Sequence, residues 1–390
     1  MTEVALYDFG PTGRLMLMGV LIALGPLAWV WLRRRGDHPT QRLRTLTLVT
    51  LFLTFDLVLF GAFTRLSDSG LGCPDWPGCY GSASPIGARE EITQAQTALP
   101  TGPVTHVKAW IEMGHRYLAT GVGVLILTLA MASWLQVRRQ GSAGTSPAVS
   151  PWWPTLTLIW VCVQGAFGAL TVTMKLFPAI VTLHLLGGLI LLALLQAQAS
   201  RYALAAGQIQ VSALPGRVHG LLWLGFVLLW LQIALGGWVS TNYAVLACTE
   251  FPACQGSFWP AMDFRQGFTL WRELGTTSDG QHITFAALTA IHYVHRLAAY
   301  VVMLVLLVAA GRLGREPATR KASYALLGLV IWQFLSGLSN VVLGWPLVAA
   351  LAHTGGAAAM VVLLTAVLCR TRAAGDQSGR AYTARSSLSA

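Results

Sequence analysis

Nine long apolar stretches alternate with short polar segments along the chain, near 15–32, 45–64, 109–134, 154–174, 178–200, 218–240, 286–310, 322–344 and 347–369. Each approaches the ~20 residues that cross a hydrocarbon layer as helix. The pattern predicts an all-α polytopic membrane protein of about nine transmembrane helices. Polar residues inside such stretches are rare and expensive, so each one carries information.

Those polar residues recur. Ala109-Trp-Ile-Glu-Met-Gly-His-Arg-Tyr-Leu-Ala119 is matched, much later in the chain, by Thr289-Ala-Ile-His-Tyr-Val-His-Arg-Leu-Ala-Ala299. Each is followed by an apolar segment with a single histidine, His184 or His353, and Gln164 and Gly168 match Gln333 and Gly337 at the same offset that relates those two histidines. The pattern is a four-helix transmembrane bundle duplicated in tandem, plus one extra N-terminal helix. An even number of spans separates equivalent positions, so the repeats are parallel rather than inverted. The expected organisation is an anchor helix and basic loop at 1–44, a first half at 45–200, a linker at 201–217, a second half at 218–369 and a disordered tail at 370–390.

Composition agrees, with 55% hydrophobic and only 11% charged residues and a mean hydropathy of +0.60. The distribution of the basic residues then sets orientation. Seventeen lysines and arginines lie in the loops after spans one, three, five and seven and in the tail, against seven in the other loops. That places the C-terminus in the cytoplasm and the N-terminus outside. The net charge of +11 reflects topology and anionic lipid, and nucleic acid is not an expected partner. The opening MTEVALYDFG is acidic, and the arginine run follows the apolar stretch, so a retained anchor is expected instead of a cleaved signal or a transit peptide. A bacterial cytoplasmic membrane is the expected location.

Two long loops, 65–108 and 241–285, face outside in this topology. Each holds one cysteine pair at the same spacing, Cys73-Pro-Asp-Trp-Pro-Gly-Cys79 and Cys248-Thr-Glu-Phe-Pro-Ala-Cys254, and one constant offset relates the two loops position by position. Four thiols allow three connectivities or a zinc site, and the matched loops favour Cys73–Cys79 and Cys248–Cys254. Whether such bonds stiffen the loops or also exchange electrons stays open. Cys162 and Cys369 fall on helices and are expected to be inert thiols.

Orientation turns the histidines into geometry. His115, His184, His295 and His353 all lie on spans running from outside to inside, six to ten residues past the outer start. At ~1.5 Å of rise per residue they share one depth. Two helices in each half therefore present imidazoles at one level, as axial ligation of a haem iron requires. Zinc or copper, or a purely structural role, is the alternative; soft metals more often recruit Cys or carboxylate beside His. Arg116 and Arg296 each follow a histidine and need an anion at that depth; a haem propionate supplies one, and snorkelling to headgroups is the alternative. The repeat breaks at one informative place, where Glu112 stands opposite His292, each three residues before its histidine and on the same helix face. A carboxylate there is placed for acid–base work, unless it merely pairs Arg116 or Lys108.

The combination resembles the haem A synthase family from about residue 45 to 369: E-x-x-H-R at Glu112–Arg116, H-x-x-H-R at His292–Arg296, single histidines at His184 and His353, TRLSDSGL at Thr64–Leu71, and both cysteine pairs. The helix at 15–32 departs from the family's eight-helix plan. The resemblance implies an oxidoreductase that converts a ring methyl of haem O to a formyl group by successive hydroxylations, for biogenesis of haem-copper terminal oxidases. It implies a haem b cofactor between His295 and His353, the haem O substrate near His115 and His184, and Glu112 as the catalytic residue. Implied partners are the farnesyltransferase that makes haem O and an unidentified electron acceptor; membrane lipid and a second copy of the chain are further expected contacts. A dihaem cytochrome b that only passes electrons is the competing class, disfavoured because all four histidines lie near one face. A haem exporter or chaperone would have no need of Glu112.

Overall fold

The computed structural model describes residues 10–140 and 150–374, and residues 1–9, with most of the expected tail, lie outside the described part. The elements run α1 (Gly10–Arg33), α2 (Pro39–Leu66), α3 (Arg89–Ala98), α4 (His106–Gln140), α5 (Trp152–Thr173), α6 (Pro178–Ala205), β1 (Ser212–Leu214), α7 (Gly216–Thr241), α8 (Phe264–Gly267), α9 (Phe285–Leu313), α10 (Arg320–Val342), α11 (Leu347–Arg370) and β2 (Thr371–Ala373). Among the described residues, nine helices are long and apolar enough to cross a membrane. The protein is an all-α, multi-pass membrane protein, as the apolar pattern predicts.

Local chemistry explains the helix ends. Pro39 and Pro178 stand at the first turns of α2 and α6, where the missing amide proton costs nothing. Thr284 caps α9 by accepting from the Ala287 amide. Inside the spans, hydroxyls are satisfied by their own helices: Thr47 donates to the Leu43 carbonyl at 2.8 Å and Thr54 to that of Thr50 at 2.7 Å. The same Thr47 hydroxyl receives Gln198 of α6 at 3.1 Å. These threonines are buried, because α2 packs along α6.

Each half repeats one element order. Helices α2, α4, α5 and α6 correspond to α7, α9, α10 and α11, with the cysteine loops between the first and second members. The halves meet where α6 packs on α7 and α11, and α11 on α2, around buried Leu192, Leu195, Leu222, Leu229, Val361 and Leu364. At the loop end of this seam, Arg65 donates to the Ser240 carbonyl at 2.8 Å, and the Tyr243 hydroxyl donates to Asp68 at 2.6 Å. The Arg65 guanidinium lies over the Tyr243 ring, 4.0 Å from its centre.

The extra helix α1 lies along α4. The approach is close because both helices supply glycine: a Cβ on Gly19 would collide with the Thr120 methyl, and one on Gly121 would fall 2.8 Å from Ile22. Leu15 joins a buried cluster with Cys73, Cys79, Ile92, Ala109 and Met113. The structure pairs Ser212–Leu214, within the expected linker, with Thr371–Ala373, at the start of the expected tail, as parallel strands, which satisfies backbone groups where the chain leaves α11. It also places α3 inside the first loop, an element too polar and short to register as a span.

Candidate functional site

Four histidines sit against four glycines. A Cβ on Gly61 of α2 would lie 2.9 Å from His115 Nε2, and one on Gly236 of α7 would lie 2.9 Å from His295 Cε1. On the second pair of helices, Gly168 faces His184 at 3.4 Å and Gly337 faces His353 at 3.1 Å by the same measure. Gly61 and Gly236 are separated by the same offset that relates the cysteine loops. Each imidazole thus occupies a recess that any larger residue would fill.

The predicted grouping is what the structure brings together. The structure sets His184 close to His115, and His353 in the same relation to His295. Among the described residues, no three His, Cys, Asp or Glu side chains converge. Two imidazoles from facing helices, with no thiol or carboxylate joining them, form a donor set that fits the axial positions of a haem iron better than a zinc or copper centre.

The residues behind the rings differ between halves. In the second half, Ser336 Oγ is 3.0 Å from His353 Nδ1, and Gln232 Nε2 is 3.0 Å from His295 Nδ1. Gln333 donates to the His353 carbonyl at 2.8 Å. In the first half, His184 Nδ1 is buried without a partner.

Glu112 and Arg116 are fixed from the loop. Glu112 Oε1 pairs with Arg116 at 2.5 Å, and Oε2 accepts the Cys73 amide at 2.8 Å. Arg116 also donates to the carbonyls of Asp75 at 3.0 Å, Pro77 at 3.2 Å, and Gly78. Arg296 donates to Pro252 at 3.3 Å and Ala253 at 3.0 Å, the counterparts of Pro77 and Gly78. The structure therefore gives both arginines loop carbonyls as partners, which the sequence reading does not name. Carbonyls turned inward by a closed ring converge on a guanidinium as an anion would. Arg296 Nη2 remains buried and unpartnered, since His292 turns away to the Ala244 carbonyl, 3.1 Å from its Nδ1. Of the two cations the sequence offers Glu112, Arg116 is the one it meets; Lys108 instead reaches the Gly102 carbonyl at 3.1 Å.

Both loops are closed by the expected disulfides, Cys73–Cys79 and Cys248–Cys254. Within them Asp75 accepts the amides of Tyr80 at 2.6 Å and Gly81 at 2.7 Å, and Glu250 accepts that of Gly256 at 3.0 Å. Gly81 and Gly256 have φ of 70° and 72°, the left-handed region in which glycine is free of strain. Cys162 and Cys369 are free thiols. Outside the spans, burial pushes the Tyr243 phenol above its ordinary value, and its bond to Asp68 adds to this. It stays protonated and donates.

Residues 44–367 match the cytochrome oxidase assembly protein family COX15-CtaA. A haem A synthase of Shewanella oneidensis is 37% identical, over 84% of this chain and 96% of that protein. The chain belongs to the haem A synthase family. A haem A synthase of a Methylobacterium species is 29% identical over 88% of this chain and 96% of its own length. One of Alkalihalophilus pseudofirmus is 26% identical over 77% of this chain and 88% of its own. The family is concerned with haem, so the histidine pairs are its candidate haem sites. The match begins beyond α1.

Gly61, Gly236, Gln232 and Ser336 escape the sequence reading. The first two could be found by aligning the halves at the cysteine offset. The other two have no counterpart to align with, since Leu57 and Phe167 hold their places.

Proposed function

We propose that the protein is a haem A synthase of a bacterial cytoplasmic membrane, with its N-terminus outside and its disulfide loops on the outer face. The two halves arose by tandem duplication and divided the work. The first half takes haem O between His115 and His184, and the second holds haem b between His295 and His353. The observation that carries this reading is the break in the repeat: a carboxylate at Glu112 stands one turn from its histidine, where the other half has His292 bonded to a backbone carbonyl.

Haem b, when bound, supplies a one-electron iron couple in the half without the carboxylate. The chain's own groups do the rest. His115 and His184 fix the substrate's height in the membrane. Glu112 is held by the Cys73 amide and by Arg116, so its position is set before substrate arrives. Conversion of the substrate methyl to a formyl group takes two hydroxylations, each needing an oxygen atom and a net two-electron oxidation by an oxidant outside this chain, and then loss of water, in which Glu112 takes the proton of one hydroxyl and returns it to the departing one. The loops and the apolar helix faces keep bulk water from the ring.

The test is to express the protein with a source of haem O and extract its pigments. Haem A or its hydroxylated intermediate is expected from the unaltered chain and lost in Glu112→Gln. Haem b alone, whatever the strain supplies, would instead support a cytochrome that only passes electrons.

A further inference from the structure

The two histidine pairs are backed differently, and the difference has a consequence for how firmly each would hold its haem. Ser336 Oγ donates to the Trp332 carbonyl at 2.7 Å. Its proton is therefore committed, and towards His353 Nδ1, 3.0 Å away, it can act only as an acceptor. Nδ1 must then carry the ring proton, which leaves Nε2 bare for iron. Gln232 lies flat against the other ring: its Nε2 is 3.0 Å from His295 Nδ1 and donates to the His295 carbonyl at 3.1 Å. The carboxamide is anchored on that carbonyl and packs on the ring, so it holds the ring's rotation without setting where its proton sits.

The first half lacks both partners. At the offset that relates His184 to His353, Phe167 stands where Ser336 does; at the offset that relates Gly61 to Gly236, Leu57 stands where Gln232 does. His184 Nδ1 is accordingly left buried and unbonded. Neither Phe nor Leu offers a hydrogen-bonding atom.

We infer that Ser336 and Gln232 are positioning residues that make the second pair a permanent haem holder, and that Phe167 and Leu57 keep the first pair exchangeable, as a site that must release its product requires. The inference rests on the assignment of resident and substrate haem proposed above. A hydrogen bond to Nδ1 fixes the ring's rotation and raises its donor strength, and outer partners of this kind are worth ~10–100-fold in metal affinity. The asymmetry therefore gives one chain a tight and a loose site from the same pair of ligands.

The experiment follows haem loss from purified protein to excess apomyoglobin, together with the midpoint potential of the retained haem. Ser336→Ala and Gln232→Leu are each expected to speed loss of the resident haem by ~10-fold or more, and Ser336→Ala to move its potential upward as well, because a less basic imidazole stabilises ferric iron less. Ser336→Thr, which keeps the hydroxyl, should restore both. Phe167→Ser should slow release from the first pair. Thermal unfolding of each variant separates ligand positioning from a folding defect. Wild-type retention in both variants, with a wild-type potential in Ser336→Ala, would overturn the inference while leaving the assignment of halves intact, provided His295→Ala still empties the resident site. If His295→Ala retains the haem and His115→Ala loses it, the assignment itself fails.

Discussion

Arg65 and Ser240 are bonded to each other and occupy the same place in the two halves: the guanidinium donates to the carbonyl at 2.8 Å although the two are far apart in sequence. Asp68 and Tyr243 are related by the same offset and are also bonded, at 2.6 Å. Residues at equal offsets that meet directly are the pattern found at the two-fold axis of a symmetric dimer's isologous interface. Only a residue near such an axis can touch its own equivalent.

Removing this contact should loosen the seam. Arg65 keeps 12% of its side chain exposed and is committed to Ser240, Asp68 and the Tyr243 ring. Arg65→Ala is expected to cost about 2 kcal/mol, the scale of a charge-assisted bond at a partly buried site. The fall should appear in thermal unfolding of the detergent-purified protein, with both histidine pairs still able to bind haem. An unchanged unfolding temperature would mean that apolar packing alone holds the halves.

Tyr243 gives the seam a pH dependence. Its phenol is raised above the ordinary 10.0, so the folded state holds the proton more tightly than the unfolded one. The associated stability is complete below about pH 10 and is lost as pH rises through the higher folded value. Tyr243→Phe should show a shallower alkaline loss of stability than the unaltered chain when unfolding is followed between about pH 8 and about pH 11. Parallel alkaline curves for the two proteins would refute the effect.

The glycine recesses predict position-specific damage. Gly236→Ala places a methyl 2.9 Å from His295, and helices that pack this closely relax little. The absorbance of haem held by the second pair should drop, while Gly61→Ala, with its methyl 2.9 Å from His115 Nε2, should spare that haem and reduce conversion of haem O. Equal effects on both readouts from either variant would count against separate sites.

The disulfides and arginines should behave as one unit. Closing a ring of this size contributes about 2 kcal/mol through the unfolded chain. Cys248→Ser with Cys254→Ser is expected to lower the unfolding temperature and expose the loop to protease, and Arg296→Ala to do the same with the disulfide intact. If Cys73→Ser with Cys79→Ser abolishes turnover at unchanged stability, that bond exchanges electrons and is more than a brace.

Much of the fold is readable in the sequence because a membrane restricts the options. The apolar runs predict the nine helices to within a few residues at most ends, since every backbone group in lipid must be paired within a helix. The histidines stand out because each is a polar residue in an apolar run. The arginines are legible as residues in need of a partner, and Glu112 is readable as one for Arg116, but the other partners are backbone carbonyls of Pro77, Gly78, Pro252 and Ala253, and carbonyls have no sequence signature. Ser336 and Gln232 are hidden for a different reason: a serine or glutamine in a span is ordinary unless its neighbour across the bundle is known. Pairing of β1 with β2 joins the middle of the chain to its end through two very short strands, too brief for any periodic signal.

The hold on Glu112 links two regions that differ in solvent. One of its oxygens is tethered to the amide of Cys73 and the other to an arginine that grips the same disulfide ring. Whatever presses on that ring from beyond the helices is transmitted to the carboxylate as a displacement, with no contact at the carboxylate itself. The ring is thus a handle on the interior of one half. The opposite ring is gripped by Arg296 but reaches no carboxylate through it, because the residue in the place of Glu112 is His292, fastened to the turn at Ala244.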